Sequence, residues 1–206
     1  MELTEKAAAL GVDACLLVVP YYNKPTQEGL YQHFKYIAER VDIPQILYNV
    51  PGRTALDMHN DTVVRLSEID NITGIKDATA DVPRVKDFLA RCGSEFVLYS
   101  GDDATTLDFI KMGGHGCISV TANVAPAKMH QMCVAALEGN IDLAEKLNSE
   151  LDGLHKQLFV ESNPIPAKWA VEKLGLISGG IRLPLTRFST PLHTQLEHAM
   201  QQAGVL

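Results

Sequence analysis

One lysine in this chain is placed to act as a nucleophile. Lys76 closes the apolar run Ile72-Thr73-Gly74-Ile75-Lys76. A lysine ending such a strand projects toward a low-dielectric interior. Desolvation there disfavours the ammonium and leaves an amine able to attack a ketone. The same residue could instead snorkel to solvent along its stem. Tyr48 closes the preceding run and opens Tyr48-Asn49-Val50-Pro51-Gly52-Arg53-Thr54. A buried phenol beside an imine-forming lysine can relay protons, although taken alone it could be an aromatic core plug. Arg53 follows a Pro-Gly turn; its fork suits a carboxylate, though a lone loop arginine is usually just solvated. If the two runs are adjacent parallel strands, Tyr48 and Lys76 sit at neighbouring tips, within reach for proton relay.

Other lysines are placed less well. Lys24 sits in a proline-bounded loop, Lys168 on an amphipathic helix, and Lys111 just before Met112-Gly113-Gly114, where it reads as a helix C-terminal cation. Asp102-Asp103 could suggest a metal pair, but a cap and a first-turn acid for the next helix is the stronger reading. His115 reads as a turn residue. The four cysteines, Cys15, Cys92, Cys117 and Cys133, form no CxxC pair and no zinc spacing with histidine, so no metal site is expected.

The elements that would position these groups alternate. Apolar runs predict strands at Ala14–Val19, Gln45–Asn49, Ile72–Lys76, Phe96–Ser100 and Gly116–Val120. The runs are apolar nearly throughout, which predicts cover on both faces. Helical patterns lie between them at Thr26–Val41, Asn60–Ile69, Val82–Arg91, Ala104–Met112 and Ala127–Glu138. This spacing predicts parallel βαβ units. After Gly139 the strands stop, and Ile141–Leu158, Pro164–Leu174 and Thr190–Ala203 read as helices, with Asn163-Pro164 as a cap and first-turn proline. The expected division is therefore a β/α portion over residues 1–139 and a helical portion over 140–206. Each strand run ends in polar residues, a barrel habit; no Gly-rich phosphate loop of the open-sheet type follows the first strand.

With 206 residues, 46% apolar, and a formal charge of −7, the chain suits a globular protein with a real core. The acidic balance without a Lys/Arg-rich run argues against nucleic acid and anionic membranes. Met1–Leu10 lacks the apolar core of a leader, Ala14–Pro20 is too short to span a bilayer, and a reducing cytoplasm fits the cysteine usage.

Five blocks, in their order and spacing, resemble the dihydrodipicolinate synthases of the pyruvate-dependent class I aldolase and N-acetylneuraminate lyase superfamily. They are Pro20-Tyr21-Tyr22-Asn23-Lys24-Pro25, Tyr48 to Thr54, Gly74-Ile75-Lys76-Asp77-Ala78-Thr79, Ser100-Gly101-Asp102-Asp103, and Asn163-Pro164-Ile165-Pro166-Ala167-Lys168-Trp169. The resemblance implies a (β/α)8 TIM barrel followed by a small C-terminal helical domain. It implies condensation of pyruvate with L-aspartate 4-semialdehyde to 4-hydroxy-tetrahydrodipicolinate in lysine and diaminopimelate biosynthesis, without a cofactor. It implies imine formation at Lys76, proton relay by Tyr48, and aldehyde-carboxylate binding by Arg53. Tyr22 resembles the tyrosine that reaches into a neighbouring subunit's site, and Ile118 the residue whose carbonyl lines the pyruvate pocket. Gly101 resembles the glycine beside the nucleophile, and Tyr21 part of an allosteric lysine pocket. A homo-oligomer, a dimer of dimers, is implied as well.

The chain also departs from that pattern. The family's Gly-Thr-Thr-Gly-Glu block does not occur, and the sole Thr-Thr, Thr105-Thr106, falls in a predicted helix. Met1–Gly11 matches the end of the third helix. The resemblance thus implies a barrel lacking about three of its eight βα units. The first and last strands present would then keep unpaired edges and expose their apolar inner faces to water, and the 206 residues alone would be inactive or would aggregate. Another 2-keto acid aldolase, or a non-catalytic remnant, are the competing readings.

Overall fold

A computed structural model describes residues 1–206. They form two compact units, Met1–Ile118 and Ser119–Leu206.

The first unit alternates α1 (Glu2–Ala9), β1 (Cys15–Val18), α2 (Gln27–Ala38), β2 (Gln45–Asn49), α3 (Pro51–Thr54), α4 (Asn60–Ser67), β3 (Ile72–Asp77), α5 (Arg84–Arg91), β4 (Val97–Ser100), α6 (Thr106–Lys111) and β5 (Gly116–Cys117). The strands make one parallel sheet in the order β1-β2-β3-β4-β5, with β1 and β5 at its edges. Local signals explain several boundaries. Thr26 accepts from the Gly29 amide (3.1 Å) and caps α2. Asp102 accepts from the Thr105 amide (3.1 Å) and hydroxyl (2.7 Å), so this aspartate is a cap. His115 is a ladder residue: its Nδ1 accepts from the Leu98 amide (3.0 Å) and its own amide donates to the Leu98 carbonyl (2.8 Å).

The core collects on one face of the sheet. Leu47, Ile75 and Leu98 pack there against Leu30 and Phe34 of α2, Val63 and Leu66 of α4, and Val85 and Phe88 of α5. Burying each of these side chains contributes on the order of 1.5–3 kcal/mol. Only one face is covered, and the other lies open, as expected of a barrel that lacks its first units. Burial alternates along β2 and β4, and Leu16 and Val18 on the opposite face are 43% and 38% exposed. A run of apolar residues states what a strand tolerates, not which neighbours are present.

Two further boundaries differ from expectation. β5 stops at Cys117, although the Ile118 amide still donates to the Ser100 carbonyl (2.9 Å). The chain then turns into a 3-10 segment, Thr121–Asn123, with the Ser119 hydroxyl accepting from the Ala122 amide (2.9 Å). Pro51-Gly52, read as a turn, begins the one-turn helix α3 instead. Thr54 Oγ1 donates to the carbonyls of Val50 (3.1 Å) and Leu56 (3.0 Å), closing that turn with its own hydroxyl.

The second unit holds α7 (Pro126–Leu137), α8 (Ile141–Gln157), α9 (Ile165–Lys173) and α10 (His193–Gln202). α7 packs closely on α8, so this unit includes a helix that sequence pattern grouped with the strands. Leu147, Leu151, Leu154, Leu196, Ala199 and Met200 are buried within it. α9 begins at Ile165 with Pro164 at the cap position and Pro166 in its first turn, so Asn163 is not its cap.

Candidate active site

Parallel pairing brings Tyr48 opposite Lys76, and Lys76 opposite Tyr99, at the C-terminal ends of β2, β3 and β4. Side chains in register on neighbouring strands share a face. Lys76 Nζ lies 4.2 Å from the centre of the Tyr48 ring. The two groups expected to neighbour one another do so.

Burial lowers the pKa of Lys76; the charges of Asp103 and Cys117 oppose this more weakly. Its neutral amine is therefore available at a lower pH than that of a free lysine. Burial also raises the Tyr48 phenol, with Arg53 pulling the other way. A raised phenol stays protonated near neutrality and can donate. An amine whose neutral form is more accessible than in free lysine, beside a phenol that keeps its proton, has the chemistry a proton relay needs.

Space for the lysine comes from Gly101. A Cβ there would stand 2.9 Å from Lys76 Cε and 2.8 Å from Ala78 Cβ. A second close approach occurs at Gly74, where a Cβ would meet the Val97 carbonyl oxygen at 2.6 Å. These two glycines let the β3–β4 pair close around the nucleophile.

Arg53 is exposed in α3, directly beyond the β2 tip. Ile118 lies past β5 and is 38% exposed. Tyr21 and Tyr22 point outward, 65% and 94% exposed, from a turn in which Tyr22 holds φ 66° and Lys24 φ 43°. At that exposure Tyr22 touches almost nothing of its own chain. A non-glycine residue with positive φ is uncommon and costs backbone energy, so this turn is held in a specific shape.

Sequence reasoning missed the polar layer behind the pair. Asn49 and Asp77, read only as polar strand ends, are buried at 0% and 4% exposure, and Arg84 at 8% was not singled out at all. Their one available signal is position: Asn49 follows Tyr48, Asp77 follows Lys76, and both must face the covered side.

A parallel α/β sheet with polar and ionisable side chains gathered at the C-terminal ends of its strands is the arrangement of the β/α enzymes. The chain belongs to the dihydrodipicolinate synthetase family, whose model matches residues 1–203. It is 63% identical over 205 residues to the 4-hydroxy-tetrahydrodipicolinate synthase of Thioalkalivibrio sulfidiphilus, covering 100% of this chain and 70% of that protein. Dihydrodipicolinate synthase from Acinetobacter baumannii, chloride inhibited and complexed with pyruvate, superposes with a TM-score of 0.96 at 54% identity, over 100% of this chain and 70% of that one. The enzyme from Cyanidioschyzon merolae with lysine bound gives 0.95 at 40% identity, again over 100% and 70%. No helix is long and apolar enough to cross a membrane.

Proposed function

We propose that this chain carries the Schiff-base chemistry of a 4-hydroxy-tetrahydrodipicolinate synthase, condensing pyruvate with L-aspartate 4-semialdehyde. The observation that carries this reading is the Lys76–Tyr48 pair: a partly desolvated amine 4.2 Å from the ring of a protonated phenol. The neutral amine of Lys76 adds to the ketone carbon of pyruvate, and loss of water gives the imine. Tyr48 supplies and recovers protons as the carbinolamine collapses and the methyl carbon is deprotonated to the enamine. That carbon then forms the new bond to the aldehyde carbon, whose oxygen takes a proton to become the hydroxyl; the semialdehyde's amino group next adds to the imine carbon and expels Lys76 as the free amine, closing the ring. Arg53, at the mouth, binds the aldehyde's distant carboxylate, as a planar fork does well. Gly101 keeps the space beside the amine open, and the Ile118 carbonyl faces the pyruvate.

The five strands correspond to the last five of an eight-stranded barrel, with residues 1–139 as its barrel portion and 140–206 as a C-terminal helical domain. This reading is supported by two open edges, β1 and β5, and by the 70% span of the relatives. The solvent-projecting Tyr22 fits a residue that completes a neighbouring subunit's site in a homo-oligomer built as a dimer of dimers, and Tyr21 fits a regulatory lysine pocket. The cytoplasm is the compartment that suits four cysteines outside any disulfide.

Treating the longest form of the protein that turns over with pyruvate and borohydride, then mapping peptides, tests the nucleophile. An adduct on Lys76 is expected; one that persists in Lys76→Ala and maps to Lys24 or Lys168 sinks the assignment. The open edges also predict that residues 1–206 by themselves turn over only in trace and associate through their strand edges. A monodisperse, cooperatively unfolding species with full turnover in sedimentation and rate assays would contradict this.

A further inference from the structure

The residues alternating with Tyr48 and Lys76 form a connected polar cluster on the covered side of the sheet. Asn49 Nδ2 donates across the β2–β3 pair to Asp77 Oδ1 (3.0 Å) and also to Asp57 Oδ1 (2.7 Å), while Asn49 Oδ1 accepts from the Met58 amide (3.0 Å). Arg84 donates from Nη1 to Asp57 Oδ1 (2.9 Å), from Nε to Asn60 Oδ1 (2.8 Å) and from Nη2 to the Met58 carbonyl. The same Nη1 lies 3.9 Å from Asp77 Oδ1. Thr79 Oγ1 donates to the other Asp77 oxygen (2.6 Å).

We propose that Arg84, Asp77 and Asn49 are positioning residues, a buried clamp that holds β2 and β3 in the register that sets Tyr48 against Lys76. Their target is the nucleophile of the proposed function, and the clamp rests on that reading. Register between these strands needs such a device. The pairing runs Gln45↔Ile72 and then Ile46↔Gly74, so an irregularity separates the strand starts from the tips. Pairing at the start therefore does not dictate pairing at the tips, and a one-residue slip would turn Lys76 to the covered face. Asn49 and Asp77 tie the strands together beyond that irregularity, directly opposite one another. Arg84 joins Asp57 and Met58 to the same point, and this segment follows α3 with its Arg53. One guanidinium thus references three site residues to a common origin. A buried charged cluster is a poor choice for stability alone, because apolar packing of like volume commonly does as well. Geometry is what the fork adds.

Competitive acetylation of every lysine across pH, followed by peptide mapping, reads the position of Lys76 without needing turnover. Lys24 and Lys168 serve as references. The groups facing Lys76 are Tyr48 from β2, Tyr99 from β4, Asp103 and Cys117; none is altered in the variants. In the unaltered chain Lys76 is expected to label at lower pH than the references. Arg84→Lys keeps the charge but not the fork. In it and in Arg84→Met, the Lys76 profile should move toward the references, and pyruvate trapping should slow about tenfold or more. Thr79→Val should shift the profile the same way by less. Asp77→Asn combined with Arg84→Met should be no worse than Arg84→Met alone, as for members of one unit. Circular dichroism restricts the comparison to folded protein, and Arg84→Lys with Thr79→Val decides if Arg84→Met fails to fold. Folded variants with an unmoved Lys76 profile would overturn the clamp, as would an unaltered chain whose Lys76 labels like the references. A depressed Lys76 profile without any pyruvate adduct would instead overturn the imine reading alone.

Discussion

Strands β2 and β3 carry two unlike surfaces one residue apart. On the covered side, Leu47, Asn49, Ile75 and Asp77 are buried between 0% and 4% exposure, against helices or in the polar clamp. On the other side, Tyr48 and Lys76 are half-buried, and Leu16 and Val18 of the neighbouring β1 are more open still. The covered side is dense enough that a lost methylene is felt. The other keeps a lysine partly solvated, so that its protonation state can be set by its surroundings. A short parallel strand can therefore be scaffold and reagent at once, because alternation separates the two tasks by one peptide.

That contrast can be broken from either side. The largest effect should come from the open face: Lys76→Ala should lose the pyruvate–borohydride adduct altogether, by intact mass, whereas Leu16→Thr on the same face should retain it. Next, Phe88→Ala beneath the covered face should destabilise the unit by about 3–5 kcal/mol in urea unfolding. Val18→Thr, on the open face, should stay within about 0.5 kcal/mol. Equal costs would mean that both faces are packed alike. A smaller and more selective split is expected at the site, assayed in the longest form that turns over. Arg53→Ala should raise KM for the aldehyde by roughly one to two decades, as for a lost charge-assisted contact, while Tyr48→Phe should act mainly on kcat. An Arg53→Ala enzyme with unchanged aldehyde kinetics would remove the carboxylate role.

The smallest effect concerns pH. Lys76 has a folded pKa below its unfolded value. Between the two values the unfolded chain holds a proton that the folded chain has released, so stability should rise with pH through that window. Below the folded value the penalty of burying the ammonium is fully present. Lys76→Met should lack this rise and be slightly more stable than the unaltered chain near neutrality. Parallel thermal-melt series on the two proteins check the sign; a stability difference that does not narrow toward alkaline pH would be inconsistent with a desolvated lysine.

Much of the covered side could be read from the sequence, because strand cores and amphipathic helices leave a periodic trace. Gln45–Asn49 was placed with both ends correct, and the Tyr48–Lys76 adjacency followed from parallel pairing. The clamp left no such trace. Arg84 bonds to residues 24 to 27 positions away, and an arginine at a helix start looks like any solvated surface group. Helix α3 was also invisible, since four residues are too few to show a period and Pro51-Gly52 has the composition of a turn. The open face was legible only through the missing early units, not through the strands' own residues. Apolar runs in a strand are compatible with either arrangement, and only the neighbours decide.

Gly101 gives the site an unusual mutational signature. Its φ lies outside the left-handed range that favours glycine, so an alanine there meets no backbone objection. Its nearest obstacles are Ala78 Cβ at 2.8 Å and Lys76 Cε and Cγ at 2.9 and 3.1 Å, so the lysine must swing aside and Ala78 must yield by a few tenths of an ångström. In a scan of all single substitutions scored once for abundance and once for pyruvate capture, alanine at position 101 should therefore lose more capture than abundance, because it displaces the amine directly. Gly74 should show no such split, because its obstacle is the Val97 carbonyl, a rigid part of the neighbouring strand, and both scores would fall together. Two glycines in the same sheet would thus fail in distinguishable ways, one as a chemical lesion and the other as a folding lesion.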